Sequence, residues 1–192
     1  MSTLHIMIGI PGAGKSTYAA KLVERVNGRL VSTDAIRKEL TGDENCDPNM
    51  NGQVYFISHH RIAEYILDGD VVIDATNVHV RDWRKYRELV PEGTVLKAYW
   101  FEIPPAEALR RQEQRERKVP EEVIRRMWMA MSSNRKRLHD CFNDDCIQII
   151  GVDDERHEAT EEGKGRGDRG TEECPLVEND EGGKDVRQDV RN

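Results

Sequence analysis

The sequence predicts an α/β fold: a five-stranded parallel sheet flanked by helices. Three observations predict it. Short apolar runs alternate with longer stretches of helical periodicity across residues 3–150, the pattern of strands joined by helical crossovers. The first apolar run breaks into a glycine-rich turn, GIPGAGKST, that opens directly into helix formers. Side chains suited to phosphate and proton chemistry recur just past the ends of the apolar runs, where parallel sheets bind ligands.

The first strand is expected over 3–8 and the first helix over 15–26, with the turn between them. Gly9, four residues, then Gly14-Lys15-Ser16 is P-loop spacing. Gly9, Gly12 and Gly14 let the backbone curl so that successive N–H groups face an anion, with Pro11, Ala13 and Thr17 completing the loop. The helix opening at Lys15 adds its unpaired N–H groups and the positive end of its dipole. Lys15 is expected on the β- and γ-phosphates of ATP, and the Ser16 hydroxyl on Mg²⁺. A strand–turn–helix context on both sides makes an incidental Gly-Lys turn a poor account. The pattern places the chain among P-loop NTPases. It leaves the reaction open, because motors, GTPases and small kinases share the loop.

The second strand is expected over 29–33, followed by a helix over 35–41. Asp34 stands at the carboxyl end of that strand, with Arg37 one helical turn further on the same face. Asp34 is a candidate for the cleft and equally a candidate helix N-cap. Another helix is expected over 52–68, where Val54, Ile57, Ile62 and Ile66 recur at helical spacing. The third strand, 71–74, ends in VVIDATN and places Asp74 and Asn77 at the same rim. Asp74 is either a carboxylate acting on Mg²⁺ or its waters, or a turn former. A helix over 80–89, a strand over 94–101, helices over 105–116 and 120–140, and a last strand over 146–150 complete the set.

Ten basic and four acidic residues lie between Arg110 and Arg137. For Arg125, Arg126, Arg135 and Lys136 a solvated helix face is sufficient. Arg111 and Arg115 stack at i,i+4 just before a Pro-containing break, and paired guanidinium groups suit the spread charge of a transferring phosphoryl group. The segment ERKVP reads as the bend of a lid closing over ATP.

The net charge of −7 over 192 residues is unevenly placed. Residues 1–152 carry 22 acidic and 22 basic side chains, whereas 153–192 carry 14 and 7. The second stretch has six glycines and no Phe, Trp or Tyr, too little apolar surface to offset chain entropy. We therefore expect a folded domain over 1–152 and an acidic disordered tail over 153–192. No run approaches the about 18 apolar residues of a membrane span. The amino-terminal residues lack a secretory pattern, so a cytoplasmic location is expected. Cys46, Cys141, Cys146 and Cys174 show no paired spacing and read as scattered thiols.

Taken in order, GIPGAGKST, STDAIR, the acidic loop GDEN, VVIDATNV and RQEQRERKVPEEVIRRM resemble the kinase module of 5′-hydroxyl polynucleotide kinases from bacteriophage and bacterial RNA end-repair systems. The resemblance covers roughly residues 3–150. It implies an adenylate-kinase-like fold, ATP and Mg²⁺ on the P-loop, and the 5′-hydroxyl end of RNA or DNA as acceptor. It further implies Asp34 as general base and Arg37 on the phosphate beside the reacting hydroxyl. Arg115 becomes the transition-state arginine, with Arg111 its neighbour. The match departs at Ala75, where some phage members carry the Asp that directly precedes Thr-Asn. The phosphatase Asp-x-Asp-Gly and ligase Lys-x-Asp-Gly signatures are absent. Kinases of nucleosides, sugars or toxin type share the same sheet, loop and lid, and an ATP-binding switch shares the loop.

Overall fold

The computed structural model describes residues 1–42, 50–113 and 118–152. Five parallel strands form one sheet: β1 (Thr3–Ile8), β2 (Arg29–Ser32), β3 (Val71–Asp74), β4 (Val95–Phe101) and β5 (Ile147–Ile150), in the order β2-β3-β1-β4-β5. Ile6 of β1 lies opposite Ile73 on one side and Ala98 on the other. A central strand covered on both faces cannot alternate polar with apolar, and Leu4, Ile6, Met7 and Ile8 are all fully buried.

The helices are α1 (Lys15–Val26), α2 (Thr33–Thr41), α3 (Asn51–Tyr65), α4 (Val80–Leu89), α5 (Pro105–Gln112) and α6 (Glu121–Asn134). Helix α4 is fixed to β4 by aromatic contact: the Trp83 ring lies 6.4 Å from Trp100 and 5.8 Å from Phe142. At the opposite, amino-terminal edge of the sheet, His5 shares hydrogen bonds with the Tyr99 hydroxyl at 3.0 Å and the Asp70 carboxylate at 3.2 Å. Asp70 also accepts the Thr3 N–H at 2.8 Å, so one buried network joins the starts of β1 and β3 to β4. Burial holds His5 below the usual imidazole range, against the pull of Asp70.

Several expected boundaries shift. Helix α2 begins at Thr33 because Ser32, not Asp34, is its N-cap, accepting the Ala35 N–H at 3.4 Å. Asp34 is an ordinary first-turn residue, and the capping role expected of it is corrected. Helix α3 ends at Tyr65, and Leu67 and Asp68 close tighter turns onto Glu64 and Tyr65. The long helix expected over 120–140 stops at Asn134, whose side-chain amide donates to the Val78 carbonyl at 3.0 Å; a 3₁₀ turn follows at Arg135–Arg137. Cys141 is a free thiol, whereas Cys146, expected as one, is disulfide-bonded. The thiols therefore carry no argument about compartment. The expected tail, 153–192, and part of GDEN lie outside the described residues. Among the described residues no helix is long and apolar enough to cross a membrane.

Candidate functional site: the P-loop and the rim of α2, α3 and α4

The loop after β1 adopts the conformation its glycines allow. Gly12 and Gly14 both have φ of 88°, a region that costs other L-residues about 1–2 kcal/mol. Gly9 is required by space instead, since a Cβ there would stand 2.9 Å from the Cβ of Phe101. At Gly12 both reasons apply, because a Cβ would meet the Ala108 carbonyl oxygen of α5 at 2.5 Å. The first turns of α5 are thereby laid directly on the loop. Gly9 N–H donates to the Thr76 carbonyl at 3.0 Å, which ties the loop to the segment after β3.

Lys15 is buried, and its ammonium donates back to the Ile10 carbonyl at 2.9 Å, across the curl of the loop. Ser16 and Thr17, the next residues of α1, are exposed. Helix α1 starts at Lys15 with Gly14 as its N-cap and no side-chain cap, so its first N–H groups are left for another acceptor. A backbone cradle, an inward ammonium and an exposed hydroxyl fit a nucleoside triphosphate with its metal ion. Asp74, a residue 9% exposed, ends β3 at the carboxyl edge the loop occupies, and its backbone carbonyl accepts the Thr33 hydroxyl at 3.5 Å.

Beside the loop, on the β2–β3 side, stands a second constellation. Arg37 reaches Asp34 through one terminal nitrogen at 2.5 Å and the Asn51 side-chain oxygen through the other at 3.2 Å. The guanidinium is the more enclosed partner, with 16% of its side chain exposed against 57% for Asp34. Arg37 therefore holds a carboxylate that still faces solvent, and Asn51 at the start of α3 holds Arg37. Tyr55, one turn along α3 from Asn51, is half-buried and lies within the electrostatic reach of Asp82, Arg37, Arg81 and Asp34. Burial, reinforced by Asp82, raises the proton affinity of its phenol.

Asn77 turns out differently from Asp74. It is 2% exposed and left-handed at φ 47°, donates to the Met7 carbonyl at 2.8 Å, and accepts the Tyr86 hydroxyl at 2.7 Å. Its own carbonyl accepts Trp83 Nε1–H at 2.7 Å. Both polar ends of its side chain and its carbonyl join β1 to α4, and at 2% exposure Asn77 shapes the rim without facing the cleft. On the other side of the loop, Arg111 donates to Glu107 at 2.7 Å, and Arg110 holds the same carboxylate. The two guanidinium groups, Arg110 foremost, hold the Glu107 carboxyl down to about 2. Arg115 lies outside the described residues, so the expected Arg111–Arg115 pair is not described. The two arms of the expected lid are joined by the Val119 N–H, which donates to Gln112 Oε1 at 2.9 Å.

Asn51, Tyr55 and Glu107 were not singled out from sequence. For Asn51 and Tyr55 the i,i+4 spacing at the start of α3 was the available signal. Glu107 had its own, an acidic residue three and four positions before two arginines.

A parallel sheet in this order, with a glycine cradle and a lysine seated across it, defines a P-loop nucleotide-binding domain of the kinase type. The family model described as AAA domain matches residues 4–138, and the chain belongs to that family. The chain is 28% identical over 156 residues to the cytidylate kinase of Pyrobaculum islandicum, covering 76% of this chain and 78% of that one. It is 30% identical over 110 residues to the shikimate kinase of Corynebacterium efficiens, covering 55% and 62%. Among solved structures, it superposes on a chain of the Pnkp1/Rnl/Hen1 RNA repair complex with TM-score 0.64 and 22% identity, covering 71% of this chain but only 46% of that one. The gluconokinase of Sinorhizobium meliloti 1021 gives TM-score 0.51 at 16% identity, covering 79% and 82%. At those identities the superpositions establish the fold. Together with the family and the loop, the curated relatives support phosphoryl transfer from a nucleoside triphosphate.

Proposed function

We propose that this chain transfers the γ-phosphoryl group of ATP to the 5′-hydroxyl end of RNA or DNA. The observation that carries the proposal is the Asp34–Arg37–Asn51 constellation beside the P-loop. A transferase, unlike a switch, must place a base and an anion clamp on the acceptor side, and this rim supplies both. The Asp-x-x-Arg after β2 is the part of the resemblance to polynucleotide kinases that these side chains embody.

Gly9–Thr17 cradles the phosphates, with Lys15 leaving the Ile10 carbonyl for the β- and γ-oxygens. Ser16 and Asp74 are the residues that would hold Mg²⁺, which when bound neutralises charge on those oxygens. Asp34 accepts the proton of the acceptor hydroxyl as its oxygen bonds to the γ-phosphorus. The bond from that phosphorus to the bridging oxygen breaks, and ADP departs. Arg37 keeps Asp34 in place and offers its remaining N–H groups to the phosphate beside the hydroxyl. Arg111 and Arg115 approach the transferring group from α5 and the segment after it.

A second reading, phosphorylation of a small hydroxyl acceptor, is favoured by the 76% of this chain that aligns with a cytidylate kinase and by the charge balance of residues 1–152. Transfer of labelled γ-phosphate to a panel separates the readings. The panel holds a 5′-hydroxyl RNA, a 5′-hydroxyl DNA, a nucleoside, a nucleoside 3′-phosphate and several sugars. Preferred labelling of an oligonucleotide is expected; preferred labelling of a sugar or nucleoside overturns it. ADP formation indifferent to every acceptor marks a switch.

A further inference from the structure

The rim carries more polar chemistry than Asp34 and Arg37 require. Four basic side chains, Arg81, Arg84, Lys85 and Arg87, lie on α4, and the structure gives them different occupations. Lys85 pairs with Glu88 at 3.1 Å, Arg87 donates to the Thr94 carbonyl at 3.2 Å, and Arg84 lies beside the Cys141 thiol. Arg81 differs. Its side chain is 83% exposed, its contact is a loose one to Asp82 at 3.6 Å, and it belongs to the charged set around Tyr55 with Arg37 and Asp34.

Its placement also goes against local preference. Arg81 sits in the first turn of α4, where the helix dipole disfavours a cation, and His79 provides no side-chain cap. Local rules broken without a packing reward mark candidate functional positions. Tyr55 completes the picture: half-buried, it makes no hydrogen bond with a described residue through its hydroxyl. Its ring is fixed by His59 at 6.2 Å, and His59 by Tyr86 of α4 at 5.9 Å. This aromatic stack packs α3, which carries Tyr55, against α4, which carries Arg81 in its first turn.

We propose that Arg81 and the Tyr55 hydroxyl form a second phosphate subsite, on the α3–α4 wall, for a phosphodiester of the acceptor strand beyond the one Arg37 holds. Resting as it does on the acceptor reading above, the proposal makes the acceptor a strand of at least three nucleotides, the shortest that carries a second phosphodiester. The guanidinium supplies charge and paired donors, and the phenol a single neutral donor. Leaving Asp82 costs Arg81 little, because its side chain is 83% exposed and the contact is 3.6 Å long. Phosphate contacts of this kind position a strand without reading its sequence.

The test measures KM and kcat for 5′-hydroxyl oligonucleotides of three and six nucleotides and for a nucleoside 3′-phosphate, at several salt concentrations. It compares the full chain with Arg81→Ala, Arg81→Lys and Tyr55→Phe. Arg81→Ala is expected to raise oligonucleotide KM about tenfold and to reduce the salt slope by about one charge. It should leave the KM for ATP and that for the nucleoside 3′-phosphate unchanged. Arg81→Lys should recover part of the loss, and Tyr55→Phe should raise the same KM about three- to tenfold through one lost hydrogen bond. Anisotropy of a labelled 5′-phosphorylated hexanucleotide gives the same comparison without turnover. Equal KM and equal affinity in wild type and Arg81→Ala overturn the subsite while leaving the acceptor reading intact. A wild-type enzyme that labels sugars and ignores oligonucleotides overturns both.

Discussion

Asp34→Asn separates a chemical role for this residue from a structural one. The substitution keeps size and polarity and removes the ability to take a proton. Its structural cost is bounded by what Asp34 touches. The N-cap of α2 is Ser32, so no cap is lost. The ion pair with Arg37 has 57% of the aspartate side chain in solvent, and such pairs are worth about 0–1 kcal/mol. A first-turn carboxylate adds about 0.3–1 kcal/mol through the helix dipole. The sum is about 1–2 kcal/mol at most, a few degrees in Tm for a domain of this size. Loss of a general base costs about 10²–10⁴ in rate, or about 3–5 kcal/mol of barrier. The asymmetry is what to measure: thermal unfolding by fluorescence beside single-turnover transfer of labelled phosphate. Ser32→Ala is the control, expected to lower Tm through the cap while leaving the chemical step alone. An Asp34→Asn protein that retains more than a tenth of the wild-type single-turnover rate would falsify the base assignment. A Ser32→Ala protein slowed as much as Asp34→Asn would show that the geometry of α2, and not the carboxylate, had been lost.

Other expectations follow from the same side chains. Lys15→Ala should lower turnover by at least about 10²–10³, as removal of a preorganised charge typically does, while Tm stays within a few degrees; a folded Lys15→Ala protein with normal turnover refutes the phosphate role. Arg115→Lys keeps charge but not the planar fork, so it should approach the about 10³–10⁵ loss of an arginine acting on the transferring group. Wild-type burst kinetics in Arg115→Lys would make Arg115 a surface charge. Burial holds His5 and His59 below their ordinary value of 6.5, so the unfolded chain binds more protons than the native one just below that pH. The stability they contribute as neutral rings is whole above about pH 6.5 and is lost as pH falls toward their lowered native values. Tm should therefore fall from pH 7 to pH 5, and His5→Gln should flatten part of that slope; a Tm that rises over this interval contradicts the sign.

The sheet and loop were legible in the sequence because each rests on signals that one element carries by itself. β1, α1, β3 and α4 begin and end where apolar period and breakers place them: Thr3–Ile8, Lys15–Val26, Val71–Asp74 and Val80–Leu89. The start of α2 was not legible in the same way. Ser32, Thr33 and Asp34 are all good caps, and no local rule ranks them decisively. Tertiary pairing decides: Ser32 lies opposite Asp74 as the last pair of the β2–β3 ladder, which leaves Thr33 free to enter the helix. Asn77 misled for a related reason. A polar residue at the end of a strand looks functional, but its left-handed φ and three hydrogen bonds are consumed by β1 and α4.

The proposed acceptor side is the harder part to read because it belongs to no single element. Asp34 and Arg37 come from α2, Asn51 and Tyr55 from α3, and Arg81 from α4, so their relation depends on how three helices pack. Sequence spacing pairs Asp34 with Arg37, and Asn51 with Tyr55, but cannot bring one pair to the other. The hydrogen bond from Arg37 to Asn51 does that, across 14 positions of chain. The same logic separates the basic residues of α4. Four of them stand within seven positions of the sequence. In the fold, Lys85 and Arg87 are occupied by Glu88 and Thr94, Arg84 turns to Cys141, and Arg81 alone of the four belongs to the charged set around Tyr55. A phosphate-binding loop can be recognised wherever it occurs, because its chemistry is local and its glycines are punctuation. Acceptor choice is written in the convergence of side chains from separate helices, and it is there that relatives with a common loop can differ in what they phosphorylate.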